Sequence, residues 1–147
     1  MSFVYTIAKA GLMNGSIDLD THDIRAMLVM TNTTADTENT KTTISGFTTL
    51  DEFDGAGYTR QALTGESVGA DNTNNRGEFT ADTFTFTNLS AGTRSIAGVV
   101  LFRYITTDAD HIPIAYIDTS GSVTFPITPT GGSLIIAANA EGFIQVG

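Results

Sequence analysis

Polar and apolar positions alternate in blocks along this chain, and the blocks are short. Apolar runs at residues 96–105, 112–117, 123–127, 134–138 and 143–146 are separated by TTDAD, TSG, TGG and NAEG. Runs of β-branched and aromatic residues bounded by Gly, Asp and Asn predict strands joined by tight connections. The C-terminal third is therefore expected to be a β meander and the core of the fold. In the run at 96–105, Val99, Leu101 and Ile105 fall on one face, and Ile96, Val100, Phe102 and Tyr104 on the other. A strand apolar on both faces is central in a sandwich or covered by another subunit.

Upstream, IRAMLVM at 24–30 predicts a second buried strand. Phe84 and Phe86 alternate with Thr83, Thr85 and Thr87, as in a half-buried strand. Weaker strand patterns lie at 44–50, 58–68 and 78–80, and GADNTNNRG at 69–77 has the composition of a turn. Residues 5–13 predict a short helix stopped by Asn14-Gly15. Residues 49–53 predict a capped helical turn with acids at its N-terminal end. TNTTADTENTKTT at 31–43 is polar and aperiodic, an expected exposed loop. Pro113, Pro126 and Pro129 cannot donate to a ladder and mark strand starts, edges or bulges. The expected fold is all-β: one domain over 1–147, about eight strands in a two-sheet sandwich of jelly-roll or immunoglobulin-like type. One short N-terminal helical segment completes it, and residues 1–16 are either packed on the sheet or an arm toward a neighbouring subunit.

Composition narrows the function classes. The chain has 147 residues, a formal net charge of -9 and no cysteine. Without cysteine there is no disulfide framework and no thiolate metal site. An acidic chain is repelled by phosphate backbones, so no nucleic-acid partner is expected. No apolar run approaches the ~18 residues of a membrane span, and residues 1–16 lack a signal peptide's pattern. Synthesis in a cytoplasm, with the mature chain beginning near Met1, is the expectation. About one residue in six is Thr, which suits strands with one wet face.

Candidate chemistry is sparse. Asp18, Asp20 and His22 share one face of an extended chain, as metal ligands would. The segment lacks the turn Gly and distal Glu of a calcium loop, and a solvated turn before a strand is the simpler reading. Asp51, Glu52 and Asp54 are clustered carboxylates, for which a cap on a wet turn is the expected reading rather than a glycosidase pair. His111 lies beside Asp108 and Asp110 in an expected hairpin turn, where a surface role is anticipated. No nucleophile elbow, phosphate-binding loop or zinc motif occurs. The expectation is a non-enzymatic protein without a cofactor.

From residue 50 onward the chain resembles a family of small structural proteins of tailed bacteriophages and prophages. The resemblance rests on DEFDGAGY (51–58), RQAL (60–63), NNRGEF (74–79), ADTFTF (81–86), AGVVLF (97–102), PIAYIDT (113–119) and TGG (130–132). GSIDL at 15–19 and IRAMLV at 24–29 are also similar. The loop 31–43 has no counterpart in that pattern. The resemblance implies a virion component, and among such proteins a capsid decoration (cement) protein. Such a protein binds the outer capsid lattice through the major capsid protein and stabilises contacts between capsomers. A homotrimer would suit three-fold lattice positions, with Val99 and Leu101 of the doubly apolar strand as its expected core. Phe3, Val4 and Tyr5 are the expected capsid- or neighbour-binding residues. A tail-fibre or receptor- or carbohydrate-binding module is the alternative, and it would need an exposed aromatic platform.

Overall fold

The structure is a computed structural model that describes residues 1–121 and 123–147. It is mostly β, with one short helix and several antiparallel sheets. The elements are β1 (Phe3–Val4), α1 (Thr6–Asn14), β2 (Ile24–Met30), β3 (Gln61–Ala62), β4 (Ser67–Asp71), β5 (Arg76–Thr80) and β6 (Phe84–Phe86). They continue with β7 (Ile96–Arg103), β8 (Ile112–Ile117), β9 (Thr119–Ser120), β10 (Val123–Thr124), β11 (Leu134–Ile136) and β12 (Ile144–Val146). A five-stranded sheet has the order β1-β8-β7-β2-β3, and a three-stranded sheet has the order β12-β5-β4. β11 pairs with β6 and β10 with β9.

The two strands read as buried, β2 and β7, form the longest ladder, from Ile24 opposite Arg103 to Met30 opposite Ile96. Its faces divide largely as the alternation predicts. Val99 and Leu101 join one apolar cluster with Ile24, Ala26 and Leu28, and that cluster also takes Phe79, Phe84, Phe86, Ile136 and Ile144 from the smaller sheets. Val100 and Phe102 join a second cluster with Met27, Val29 and Tyr116. Ile96 departs from the pattern and packs in the first cluster. The register shifts beside it, where Val29 faces Gly98 and Met30 faces Ile96, so Ala97 is the extra residue of a bulge. One inserted residue reverses every face beyond it. Ile105, expected on the same strand face as Val99 and Leu101, lies past the strand end and is 39% exposed.

The C-terminal third is not a meander. β7 and β8 are neighbours, as are β9 and β10, but β11 returns to β6 and β12 to β5. The pairing β11–β6 sets Leu134 opposite Phe86 and Ile136 opposite Phe84. Aliphatic–aromatic pairs on one core face stabilise that long-range partner. The expected turn at 69–77 is shorter, since Gly69, Ala70 and Asp71 belong to β4, opposite Glu78, Gly77 and Arg76. The strand expected at 58–68 survives only as β3 and the start of β4. Residues 44–46 form a 3-10 turn rather than a strand. Residues 49–53 are not helical, because Asp51 takes a left-handed φ of 49° and Glu52 bridges to Val29.

The helix ends as expected: Gly15 has φ 74° at its C-cap, a conformation that L side chains avoid. Pro113 sits where the β7–β8 register shifts, at Phe102. Residues 1–16 pack on their own chain, with Phe3 opposite Tyr116 and Val4 opposite Ala115.

The loop 31–43 is not a free surface loop. With residues 44–50 it covers the second face of the central sheet, where Ala35 and Ile44 are fully buried. Tyr5 is fully buried beneath it, and its hydroxyl donates to the Ala35 carbonyl at 2.6 Å. Glu38 accepts from the Thr48 hydroxyl at 2.6 Å, the Thr48 amide at 2.8 Å and the Thr34 hydroxyl at 2.7 Å. Those donors, with Lys41, hold its carboxyl down at about 2. Substituting Tyr5→Phe leaves the Ala35 carbonyl without its donor under the loop. We expect it to lower unfolding free energy by about 1–3 kcal/mol, read as a fall in urea midpoint with little change in slope.

Candidate functional site

A polar constellation forms where the segment after Asp51 meets the β7–β8 connection. Phe53 packs edge-on against Tyr58 with ring centroids 5.7 Å apart. That contact places the Tyr58 hydroxyl to accept from the Leu28 amide at 3.1 Å and donate to Glu52 Oε1 at 2.7 Å. Arg60 then forks onto Glu52, with Nε at 2.8 Å from Oε1 and Nη2 at 2.7 Å from Oε2. Its other edge grips Asp108, with Nη1 at 2.6 Å from Oδ1 and Nη2 at 2.9 Å from Oδ2. The Arg60 guanidinium holds the Asp108 carboxyl below the usual carboxylate range. Beside this pair, Arg25 binds Asp23 through Nε and Nη2 and lies 3.5 Å over the Tyr104 ring.

His111 sits inside this corner and is 2% exposed, a correction to its expected surface position. Its ring stacks at 5.2 Å on Phe102 and lies 4.6 Å from Tyr104. Nδ1 accepts from the Ile105 amide at 3.1 Å, so that nitrogen carries no proton. The His111 carbonyl accepts from the Ile44 amide, and the Asp108 carbonyl from the Ser45 amide. The corner therefore ties the 44–46 turn, the Arg60 segment and the β7–β8 connection together. Its carboxylates are spent on guanidinium groups, which makes it a structural clasp rather than an acid–base pair. Sequence reasoning missed it. The available signal was the spacing of Asp108 and His111 together with Arg60, a cation in an otherwise uncharged stretch.

The other candidate acids turn to separate partners. Asp51 accepts from Arg94 Nε at 3.0 Å and from the Asn32 amide at 3.0 Å, while Asp54 accepts from the Thr93 amide at 2.8 Å. His22 Nδ1 accepts from the Asp18 amide at 3.0 Å. The mutual influence of the Asp18 and Asp20 carboxyls lowers the Asp18 pKa and raises that of Asp20. Among the described residues, no group of three or more His, Asp or Glu side chains converges to hold a metal ion.

Of the expected interface residues, Tyr5, Val99 and Leu101 are fully buried within the chain. Both faces of β7 are filled by the chain's own side chains, so the doubly apolar strand does not present a trimer core. Phe3 and Val4 are half-buried and line a groove of about 440 Å³. Lys9, Thr119, Ser120, Asn139, Phe143 and Gln145 also line it.

Charge is unevenly placed. Arg25, Lys41, Arg60, Arg76 and Arg94 are each paired with carboxylates of the same chain. Among the described residues, Lys9 and Arg103 make no ion pair, and Arg103 donates to the Ser16 carbonyl at 3.1 Å. Among the described residues, Asp18, Asp20, Asp36, Asp54, Glu66, Asp82 and Asp110 lie outside the ion pairs and contribute to the acidity of the surface.

Comparison with protein-family models, curated proteins and solved structures returned no match to this chain. No helix is long and apolar enough to cross a membrane among the described residues.

The clasp predicts a pH dependence. Burial pulls the His111 pKa below 6.5, with Arg60 and Arg25 acting in the same direction and Asp108 and Asp110 opposing. The unfolded chain thus takes up this proton at a higher pH than the folded one. The contribution is complete above about pH 6.5 and declines as pH falls toward the folded value. His111→Asn retains an acceptor for the Ile105 amide but does not titrate. We expect stability to fall between about pH 7.5 and about pH 5.5 in the wild type and to fall less steeply in His111→Asn, measured by chemical denaturation.

Proposed function

We propose that this chain is a non-enzymatic structural protein of a tailed-bacteriophage virion, a decoration protein on the capsid exterior. In this reading it is made in the host cytoplasm and then binds the major capsid protein of an assembled lattice. Each copy ties neighbouring capsomers, and many weak contacts gain strength by avidity. The smaller sheets and the five-stranded sheet then act as the two layers of a β-sandwich. The family resemblance supports the reading, and the placement of charge is the observation that carries it. The chain's cations are largely consumed internally while its net charge stays at -9. The outer surface is therefore complementary to basic patches on a partner and averse to nucleic acid. Self-association as a trimer remains part of the reading, with its contacts outside β7.

A carbohydrate-binding tail module finds less support. Among the described residues, the exposed large apolar side chains are Met1, Met13, Val68, Ile105, Ile135 and Val146, and none is aromatic. Tyr5 and Tyr116 are buried, and Tyr104 is covered by Arg25.

The test is co-sedimentation with expanded, undecorated capsids of the phage that encodes the chain. We expect saturable binding at a fixed ratio to the major capsid protein, weakening as salt screens the acidic surface. Absence of binding at low salt would overturn the reading and direct attention to the tail.

A further inference from the structure

We propose that the groove between β1 and β12 accepts an extended polypeptide segment carrying a carboxylate. The site does not rest on the capsid reading, because its lining and its charge differ from those of the acidic surface.

Two sheet edges border the groove. β1 ends the five-stranded sheet and β12 ends the three-stranded sheet. Phe3 and Val4 of β1 and Ile144 and Gln145 of β12 line it. Each of these strands pairs on one side only among the described residues. Their outward N–H and C=O groups are the kind of template to which an added strand pairs. Between the edges, apolar Val4, Phe143 and Ile144 adjoin the hydrogen-bonding side chains of Ser2, Thr119 and Gln145. An extended segment, which alternates its side chains, matches a lining of that kind.

Charge selects the occupant. Lys9 is the only charged side chain in the lining, and it has no ion pair among the described residues. Asp118 and Glu141, each next to the lining, are already paired with the Met1 amino group and with Arg76. In a chain with a net charge of -9, the groove presents a cation without an opposing carboxylate. The complementary segment supplies that carboxylate as Asp, Glu or a chain end.

The test pans displayed random peptides of about seven residues, a common strand length, against the intact chain. Recovered peptides are then synthesised with blocked ends and titrated into isotope-labelled protein. We expect alternating sequences containing Asp or Glu, with amide shifts centred on Val4, Lys9, Ser120 and Gln145. Lys9→Glu should weaken binding about tenfold or more and Lys9→Gln less, with thermal midpoints unchanged because Lys9 is exposed on α1. N-methylation at alternate peptide residues should abolish binding, and methylation between them should not. Failure to enrich peptides above the Lys9→Glu chain, or recovery of basic peptides, would overturn the proposal. So would shifts centred on the hollow of Leu12, Asp18, Asp20 and Val68, or binding that tolerates N-methylation throughout.

Discussion

The ladder between β2 and β7 sets the problem that the rest of the chain solves. Both strands are apolar on both sides, so neither face of the sheet they form can meet water. Burying a large apolar side chain stabilises by about 1.5–3 kcal/mol. Leaving either face bare would forfeit several such contributions. One face draws in Phe79, Phe84, Phe86, Ile136 and Ile144 from the smaller sheets. The other draws in Tyr5 from the start of α1 and Ala35, Ile44 and Phe47 from the 31–50 segment. The long-range pairings of β11 with β6 and β12 with β5 follow from the first of these demands.

Covering the second face with a polar segment raises a different problem, because backbone groups there lose water. Threonine hydroxyls and one carboxylate meet that demand. The Thr33 hydroxyl donates to the Leu50 carbonyl at 2.7 Å, and its oxygen accepts from the Ala35 amide at 3.1 Å. Glu38 gathers the Thr34 and Thr48 donors. Farther along, the Arg60–Asp108 grip and the His111 acceptor fix the β7–β8 connection against the 44–46 turn. The abundance of threonine is thus tied to satisfying a polar cover over an apolar sheet, as well as to strand propensity.

Local periodicity made β2, β6, β7, β8 and the stop of α1 legible, because each is decided by neighbouring residues. The division of Val99 and Leu101 from Val100 and Phe102 was equally plain. The face of Ile96 was not, since a bulge at Ala97 appears only once the partner strand is known. Partner choice for β11 and β12 was hidden for the same reason: a short alternating strand fits many neighbours. Residues 31–43 read as loop because polarity signals solvent, yet Tyr5 and Ala35 show how a polar segment can cover a core. The clasp at His111 was obscured because its members are spread from Arg25 to His111 along the chain.

Charge flanks one boundary of each larger sheet and is absent from the strands that border the groove. β3 closes one end of the five-stranded sheet, and Arg60 just before it is committed to Glu52 and Asp108. β4 closes one end of the three-stranded sheet, follows Glu66 and ends in Asp71, so charge flanks that edge. Charges on an edge oppose the approach of a further strand. β1 and β12 contain no charged residue, and the cation between them, Lys9, is set on the helix rather than on either strand. These two uncharged edges border the same groove. The fold therefore leaves pairing capacity open beside Lys9, a cation without an ion pair among the described residues. An acidic surface and a groove lined by that cation can engage two different partner chemistries, or two regions of one partner, without competing for the same contacts.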